Sequence, residues 1–596
     1  MKMRRSIAGA LCAASIAGLL MWGCASLTAR PEFTKRDMPE VTRYLTTLIS
    51  KSMKKNKIVG MSIALVDDQK LLWARGFGFA DLENSVPATK NTVYRVGSIS
   101  KVFTATAVMQ LAQADKVDID APLGTYVPEF SIRTRFPDAP DITARNIMTH
   151  HSGLPTDYLR GMFAQSPESL EMLVSRIHDE YTAFPSEYVF CYSNLAMSIL
   201  GRLVEHVDGR EFSRYMHEEI LHPLGMNRSS FDRRDETAGL LAKSYYKGKR
   251  QDEYPLRDKP AGSLYSSVAD MSLFVSMIFA DGRAGETQLL HPSALQEMLR
   301  VQNNDTPLDL DTKTGLNWLI HEKEGMGTIV HHSGGVVSFY SYLYAVPHHK
   351  IAAIVMTNCV EGARASNEIC MEALEALYEL KTGTTVPKNK KPVPDVSFDP
   401  ERLEEYTGYY DTIAGFVPLR LKGSRLVATI GEKPFVLVPR QDGTFGLKPL
   451  LFGFLPRNKP AFNTMNIVFK DVSGYRMLAH KEGETLTRVG TRLEAPVIPD
   501  AWQKRLGRYE VVEQGEYGIS VEKITLRMED GFLLGDVTGV PPWGTGISLA
   551  LLPLDKGTAV VMGLGRSRGD TVTIRESGAG EVLYVYGYTF KRISFE

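Results

Sequence analysis

A chain of 596 residues with 43% hydrophobic content is long enough for several buried cores. Lys plus Arg and Asp plus Glu each number 69, so the formal net charge is zero. That balance leaves no electrostatic footprint for nucleic acid or for an anionic surface.

Residues 1–24 read as an export signal. Lys2, Arg4 and Arg5 form a basic start, and the apolar or small run from Ser6 to Gly23 follows. Cys24 stands at its end before Ala25 and Ser26, which resembles a bacterial lipoprotein processing site with Cys24 as the lipidated residue. Met21 and Trp22 depart from the usual pattern, so ordinary cleavage or an uncleaved anchor stay open. No later stretch is apolar over the ~20 residues that a membrane span needs. The expectation is an exported protein, lipid-anchored on the periplasmic side of a bacterial membrane. Cys12 and Cys24 belong to the signal; Cys191, Cys359 and Cys370 are too few for a disulfide scaffold.

Residues 36–381 form the first folded unit. Thr42–Met53 has the spacing of an amphipathic helix, and Met61–Val66 and Leu71–Phe79 read as strands joined at Asp67-Asp68. A mostly helical stretch runs from Val102 to about Leu299. Strands return at Phe339–Ala345 and Ile351–Met356, before a helix over Ala363–Leu380. Strands bracketing a helical middle predict an α/β (α+β) domain: one antiparallel sheet flanked by helices, plus a helical subdomain.

Residues 382–398, rich in Pro, Lys and Thr, read as a linker. The remainder is all-β and barrel-like, with short apolar runs between Gly and Asp turns. It divides into two units, 399–495 and 496–596. Gly408-Tyr409-Tyr410 and Gly507-Arg508-Tyr509 open them 99 residues apart, and Thr487-Arg488-Val489 and Lys591-Arg592-Ile593 are the matching closures. One barrel made of two halves is the alternative.

Ser98 and Lys101 lie three residues apart in Gly97-Ser98-Ile99-Ser100-Lys101, so a helix puts them on one face. A serine hydroxyl needs a base to become a nucleophile, and a lysine kept neutral by burial can serve. Ser-x-x-Lys also begins at Ser52, Ser244 and Ser520, but only Ser98 opens an apolar helix after a glycine. Tyr192-Ser193-Asn194 is the only Tyr-x-Asn. A tyrosine beside a cationic lysine loses its proton more easily and can shuttle it, and Asn194 can hold the substrate or Lys101. His332-Ser333-Gly334-Gly335 precedes the strand at Phe339, and small residues there let a substrate approach. The N–H of Gly335 is the expected oxyanion donor beside that of Ser98. His151-Ser152-Gly153 has the same pattern but reads as a structural turn.

This ordered set resembles the serine β-lactamase-like superfamily, in its class C β-lactamase, D-aminopeptidase and esterase branch. Tyr94–Gly97, Thr149–Pro155 and Ala261–Ser266 with Ala269-Asp270 also fit. The β region resembles the lipocalin-like C-terminal domains carried by some of its peptidases. The resemblance implies a β-lactamase/transpeptidase-like fold and an acyl-enzyme serine hydrolase. Ser98, Lys101 and Tyr192 would be catalytic, and Asn194, His332, Ser333, Gly334 and Gly335 would bind substrate. It implies a small-molecule or peptide substrate and no cofactor. A peptidase or amidase for D-amino-acid or cell-wall-type peptides is the leading reading; a carboxylesterase and a penicillin-binding-like receptor that acylates without turnover are the rivals. His332 stands where related enzymes carry a lysine that holds a substrate carboxylate, which weighs against β-lactams and free carboxylates.

The His-His pairs at 150, 331 and 348 point to opposite faces of a strand and make no metal site. No phosphate-binding or dinucleotide motif is present.

Overall fold

In the computed structural model the described residues are 33, 37–387, 393–431, 433–453, 455–457, 462, 465–512, 521–539, 546–578 and 580–593. The expected export signal, including Cys24, and part of the expected linker lie outside them.

Helix α1 spans Met38–Asn56 and starts where Asp37 accepts a hydrogen bond from the Glu40 N–H at 2.9 Å. It ends at Lys57, in the left-handed region at φ 59°. Val41, Leu45, Leu48 and Ile49 form its buried stripe.

The main sheet is built from β1 (Gly60–Asp67), β2 (Lys70–Asp81), β3 (Leu319–Lys323), β4 (Gly327–Val336), β5 (Phe339–Val346) and β6 (Ile351–Thr357). Their spatial order is β3-β4-β5-β6-β1-β2, all antiparallel, with a two-residue strand at each edge. Pairing of Met61 with Thr357 brings the two ends of the domain together at the sheet's centre. β1 is buried from Gly60 to Val66 and mostly apolar because both of its faces are covered. Met61, Ile63 and Leu65 pack with α1 and with α5 (Ala363–Thr382). Ala64 and Val66 point into the other core, which contains α2 (Ser100–Gln113), α3 (Asn194–Asp208) and α4 (Val268–Phe279).

Two expectations need refinement. The stretch 102–299 contains these helices but also long loops held by caps and turns. The His332–Gly335 motif does precede the strand at Phe339, but it also lies within a strand of its own, β4, whose His, Ser and Gly content hides its β character.

The all-β region forms two closed eight-stranded barrels, between Gly408 and Leu493 and between Gly507 and Arg592. Their openings are built alike. Gly408 and Gly507 have φ of 139° and 141°. The Tyr410 hydroxyl donates to Tyr406 O, and the Tyr509 hydroxyl to Arg505 O, four residues back in each. Tyr410 pairs across the closure with Arg492, and Tyr509 with Arg592. The closing segment equivalent to Lys591-Arg592-Ile593 is therefore Thr491-Arg492-Leu493 rather than Thr487-Arg488-Val489. Leu159, Met162 and Phe163 of the first domain are buried in the core of the second barrel.

Candidate active site

The backbone carries Ser98 into place through a tight turn. Gly97 adopts φ +57°, and a Cβ there would stand 2.6 Å from Gly335 N. Only glycine fits this left-handed, crowded position. Ser98 sits in one 3₁₀ turn, Gly97–Ile99, that runs directly into α2. The Ser100 hydroxyl donates to Gly97 O at 2.7 Å and accepts from Leu264 N–H at 2.9 Å, so the turn is pinned to the 261–266 segment.

Lys101 is fully buried, and its Nζ is 3.2 Å from Ser98 Oγ, 2.8 Å from Asn194 Oδ1 and 2.6 Å from Ala261 O. Two of these neighbours are carbonyl oxygens, which can only accept. As an ammonium Lys101 donates to all three; once deprotonated, an amine that still donates to the two carbonyls turns its lone pair to the serine hydroxyl. Burial holds Lys101 well below the ordinary lysine range, and the Arg566 charge lowers it further against the opposing pull of Asp157 and Asp258.

Tyr192 and Asn194 enter from the start of α3. The Tyr192 ring lies 4.9 Å from Lys101 Nζ and stacks on His150 at 4.2 Å between centroids. Burial pushes its phenol up to about 12, outweighing a hydrogen bond from Ser98 and the Arg566 charge that pull it down. Arg566 is thus the cation that eases proton loss from this phenol, and burial outweighs it. Asn194 holds Lys101 rather than facing outward, and its Nδ2 donates to Asp157 Oδ1 at 2.7 Å.

β4 forms the opposite wall. A Cβ on Gly334 would lie 1.8 Å from Val96 O and 2.9 Å from Ser98 N, so the strand touches the nucleophile turn there. The backbone nitrogens of Ser98 and Gly335 thus lie on the two segments that meet across this gap. His332 is buried, and its Nδ1–H donates to Ser333 O at 2.7 Å. Burial and then the Lys101 charge lower its pKa to about 3, so the ring is neutral. Alternation along the strand turns the Ser333 side chain to the other face, with His331, whose ring stacks on Tyr344. The His151-Ser152-Gly153 copy is structural: His151 Nε2 is 2.7 Å from Asp309 Oδ2, and Gly153 turns at φ +67° against Phe184 O.

The sequence reading missed Ala261 O, His150, Asp157 and, from the second barrel, Arg566. The Arg566 guanidinium lies 5.0 Å above the Tyr192 ring and 3.4 Å from Asp157. The one available signal was the run Gly563-Leu564-Gly565-Arg566-Ser567-Arg568-Gly569-Asp570, dense in Gly and Arg within a β-rich region.

Residues 45–376, more than half of the chain, match the Beta-lactamase family. Protein flp of Staphylococcus aureus is 23% identical over 53% of this chain and 63% of its own length. Beta-lactamase-like protein 2 of Dictyostelium discoideum is 31% identical over 38% of this chain and 43% of its own length. The chain thus covers less than two thirds of these relatives. The fold is similar to that of the octameric penicillin-binding protein homologue from Pyrococcus abyssi, at TM-score 0.52 and 22% identity, covering 76% of this chain and 99% of that one. It is also similar to SurE with D-Leu, at TM-score 0.53 and 20% identity, covering 76% and 100%.

Proposed function

Because the chain belongs to the Beta-lactamase family, we propose that it is a serine hydrolase that acylates Ser98 and cleaves an amide, with D-amino-acid or cell-wall-type peptides as its substrate class. The observation that supports this reading is the Lys101 amine: fully buried, held by Asn194 Oδ1 and Ala261 O, and within hydrogen-bond distance of Ser98 Oγ. SurE, a structural relative, has been captured with D-Leu, which favours a D-residue next to the scissile bond.

The steps follow from the geometry. Ser98 Oγ attacks the carbonyl carbon as its proton passes to Lys101 Nζ. The oxyanion is held by the N–H groups of Ser98 and Gly335. Tyr192, protonated because its pKa is about 12, gives its proton to the leaving nitrogen and takes one back from Lys101. The C–N bond breaks and the acyl group stays on Ser98. A water then adds to the ester, its proton returns through Lys101, and Ser98 is regenerated.

Intact-mass measurement with a fluorophosphonate, together with hydrolysis of a D-alanyl anilide, tests this. The expectation is a stoichiometric adduct and turnover, both lost in Ser98→Ala. Turnover of phenyl esters but never of anilides would mean an esterase. A penicillin adduct that persists with no turnover would mean a receptor. We also propose export and lipid attachment at Cys24. The mass of the N-terminal peptide from the membrane-extracted protein should show Cys24 as the first residue carrying a diacylglyceryl group, and an unmodified Cys24 would refute the anchor.

A further inference from the structure

The loop between the barrel strands Thr558–Val561 and Thr571–Ser577 reaches into the catalytic domain. Its tip is fastened on several sides. Ser567 N–H donates to Thr156 Oγ1 at 2.7 Å, and the Cys191 thiol lies 3.4 Å from Gly565 O. Arg135 donates to Gly569 O at 2.9 Å and to Thr571 Oγ1 at 2.6 Å. A Cβ on Gly569 would stand 2.3 Å from Ala183 O, so glycine lets the loop seat that closely.

This fixed loop delivers one cation. The Arg566 side chain is only 8% exposed and meets Asp157 only at 3.4 Å. Its Nε and Nη1 are buried and find no hydrogen-bond partner among the described residues. A guanidinium remains charged and offers five donors in a planar fork. Buried donors of this kind are costly unless something accepts from them. The group also lies on the Tyr192 ring, on the side of the site where the leaving group must receive its proton. The position on β4 that could have supplied a cation holds a neutral His332 instead.

We propose that Arg566 binds a carboxylate on the leaving-group side of the substrate, so that the second barrel supplies the anion anchor that β4 lacks. The substrate class is then an amide or ester whose departing portion ends in a free carboxylate, such as the C-terminal residue of a peptide. This rests on the acyl-enzyme reading above, and it reverses the expectation that His332 disfavours carboxylate substrates.

The test is a matched pair of N-acetyl-D-alanyl phenyl esters, one with a meta carboxylate on the phenol and one with a meta carboxamide. The full-length protein should prefer the carboxylate ester by about 10- to 100-fold in kcat/KM, as expected for a charge-assisted bidentate contact. Arg566→Gln should remove the preference, whatever it does to the common rate through Lys101. Arg566→Lys, which keeps the charge but not the fork, should keep part of it with an unchanged Tm. Equal rates for the two esters in the wild type would overturn the proposal without any variant, and so would a preference that survives Arg566→Gln. Failure of the hydrolase reading looks different: neither ester turns over and no fluorophosphonate adduct forms on Ser98.

Discussion

Arg568 Nε stands 2.8 Å from both carboxylate oxygens of Asp411, and each side chain is nearly excluded from solvent. Arg568 belongs to the second barrel and Asp411 to the first, so one buried ion pair ties the barrels together two residues from Arg566. Arg568 also donates to Thr412 O at 2.7 Å, and Arg488 of the first barrel donates to Leu564 O at the other end of the loop.

Removing one partner of such a pair leaves an uncompensated buried charge, at a cost of about 3–5 kcal/mol. Asp411→Asn should therefore lower the midpoint of thermal unfolding. It should also reduce the carboxylate-ester preference, because the loop holding Arg566 loses its brace. Differential scanning calorimetry and the paired esters check both effects. A preference kept at wild-type strength would show that the loop needs no support from the first barrel.

Gly97 offers a second test. Its φ of +57° costs a non-glycine residue about 1–2 kcal/mol, and an alanine Cβ would collide with Gly335 N at 2.6 Å. Gly97→Ala should push apart the two N–H groups of the oxyanion site. Loss of one such donor lowers kcat by about 10²–10³ in well-studied hydrolases. Fluorophosphonate labelling should slow in parallel while Lys101 stays in place. Undiminished labelling would remove Gly335 from the oxyanion role.

The clustering of the candidate residues was legible in the sequence because short motifs place them locally. Ser98 and Lys101 share one helix face, and Tyr192 and Asn194 bracket the start of another helix. What those motifs could not reveal depends on contacts distant along the chain. Lys101 has its pKa held down by burial and by Arg566, a residue far along the chain. Tyr192 keeps its proton because burial outweighs the Ser98 hydrogen bond and the Arg566 charge. Arg566 comes from the far end of the chain, so no local pattern connects it to Ser98. The duplicated barrels were readable from Gly408 and Gly507, but the closing match slipped by four residues. Only strand pairing shows that Arg492, not Arg488, faces the opening tyrosine.

The pH dependence of catalysis follows from the two shifted groups. Lys101 must be neutral to accept the Ser98 proton, and its pKa is held well below the usual lysine range by burial and Arg566. So kcat/KM should rise with pH along one limb set by Lys101 and reach its plateau below the ordinary lysine pKa. With Tyr192 at about 12, no falling limb from that phenol should appear below about pH 11. Replacing Arg566 with Gln removes a like charge and should move the rising limb to higher pH. A limb that stays put, or moves down, would mean that the limb does not report Lys101.

His332 and His321 both have pKa values lowered to about 3, and His331 and His150 are also lowered well below the ordinary 6.5, with burial the leading cause in all four. In the unfolded chain these rings take up protons as the pH falls through about 6.5, while the folded chain keeps them neutral. The unfolded state then binds more protons, so stability decreases as the pH drops. The contribution is fully favourable above about pH 6.5 and is withdrawn at about 1.4 kcal/mol per pH unit for each ring down to its folded pKa. His331 packs between His321 and Tyr344, away from Ser98. His331→Phe should therefore flatten the acid side of the stability curve while leaving the pH profile of kcat/KM unchanged between pH 5 and 8. Urea midpoints measured from pH 7 to pH 4 read this directly, and an unaltered slope in His331→Phe would show that this ring is already protonated in the fold.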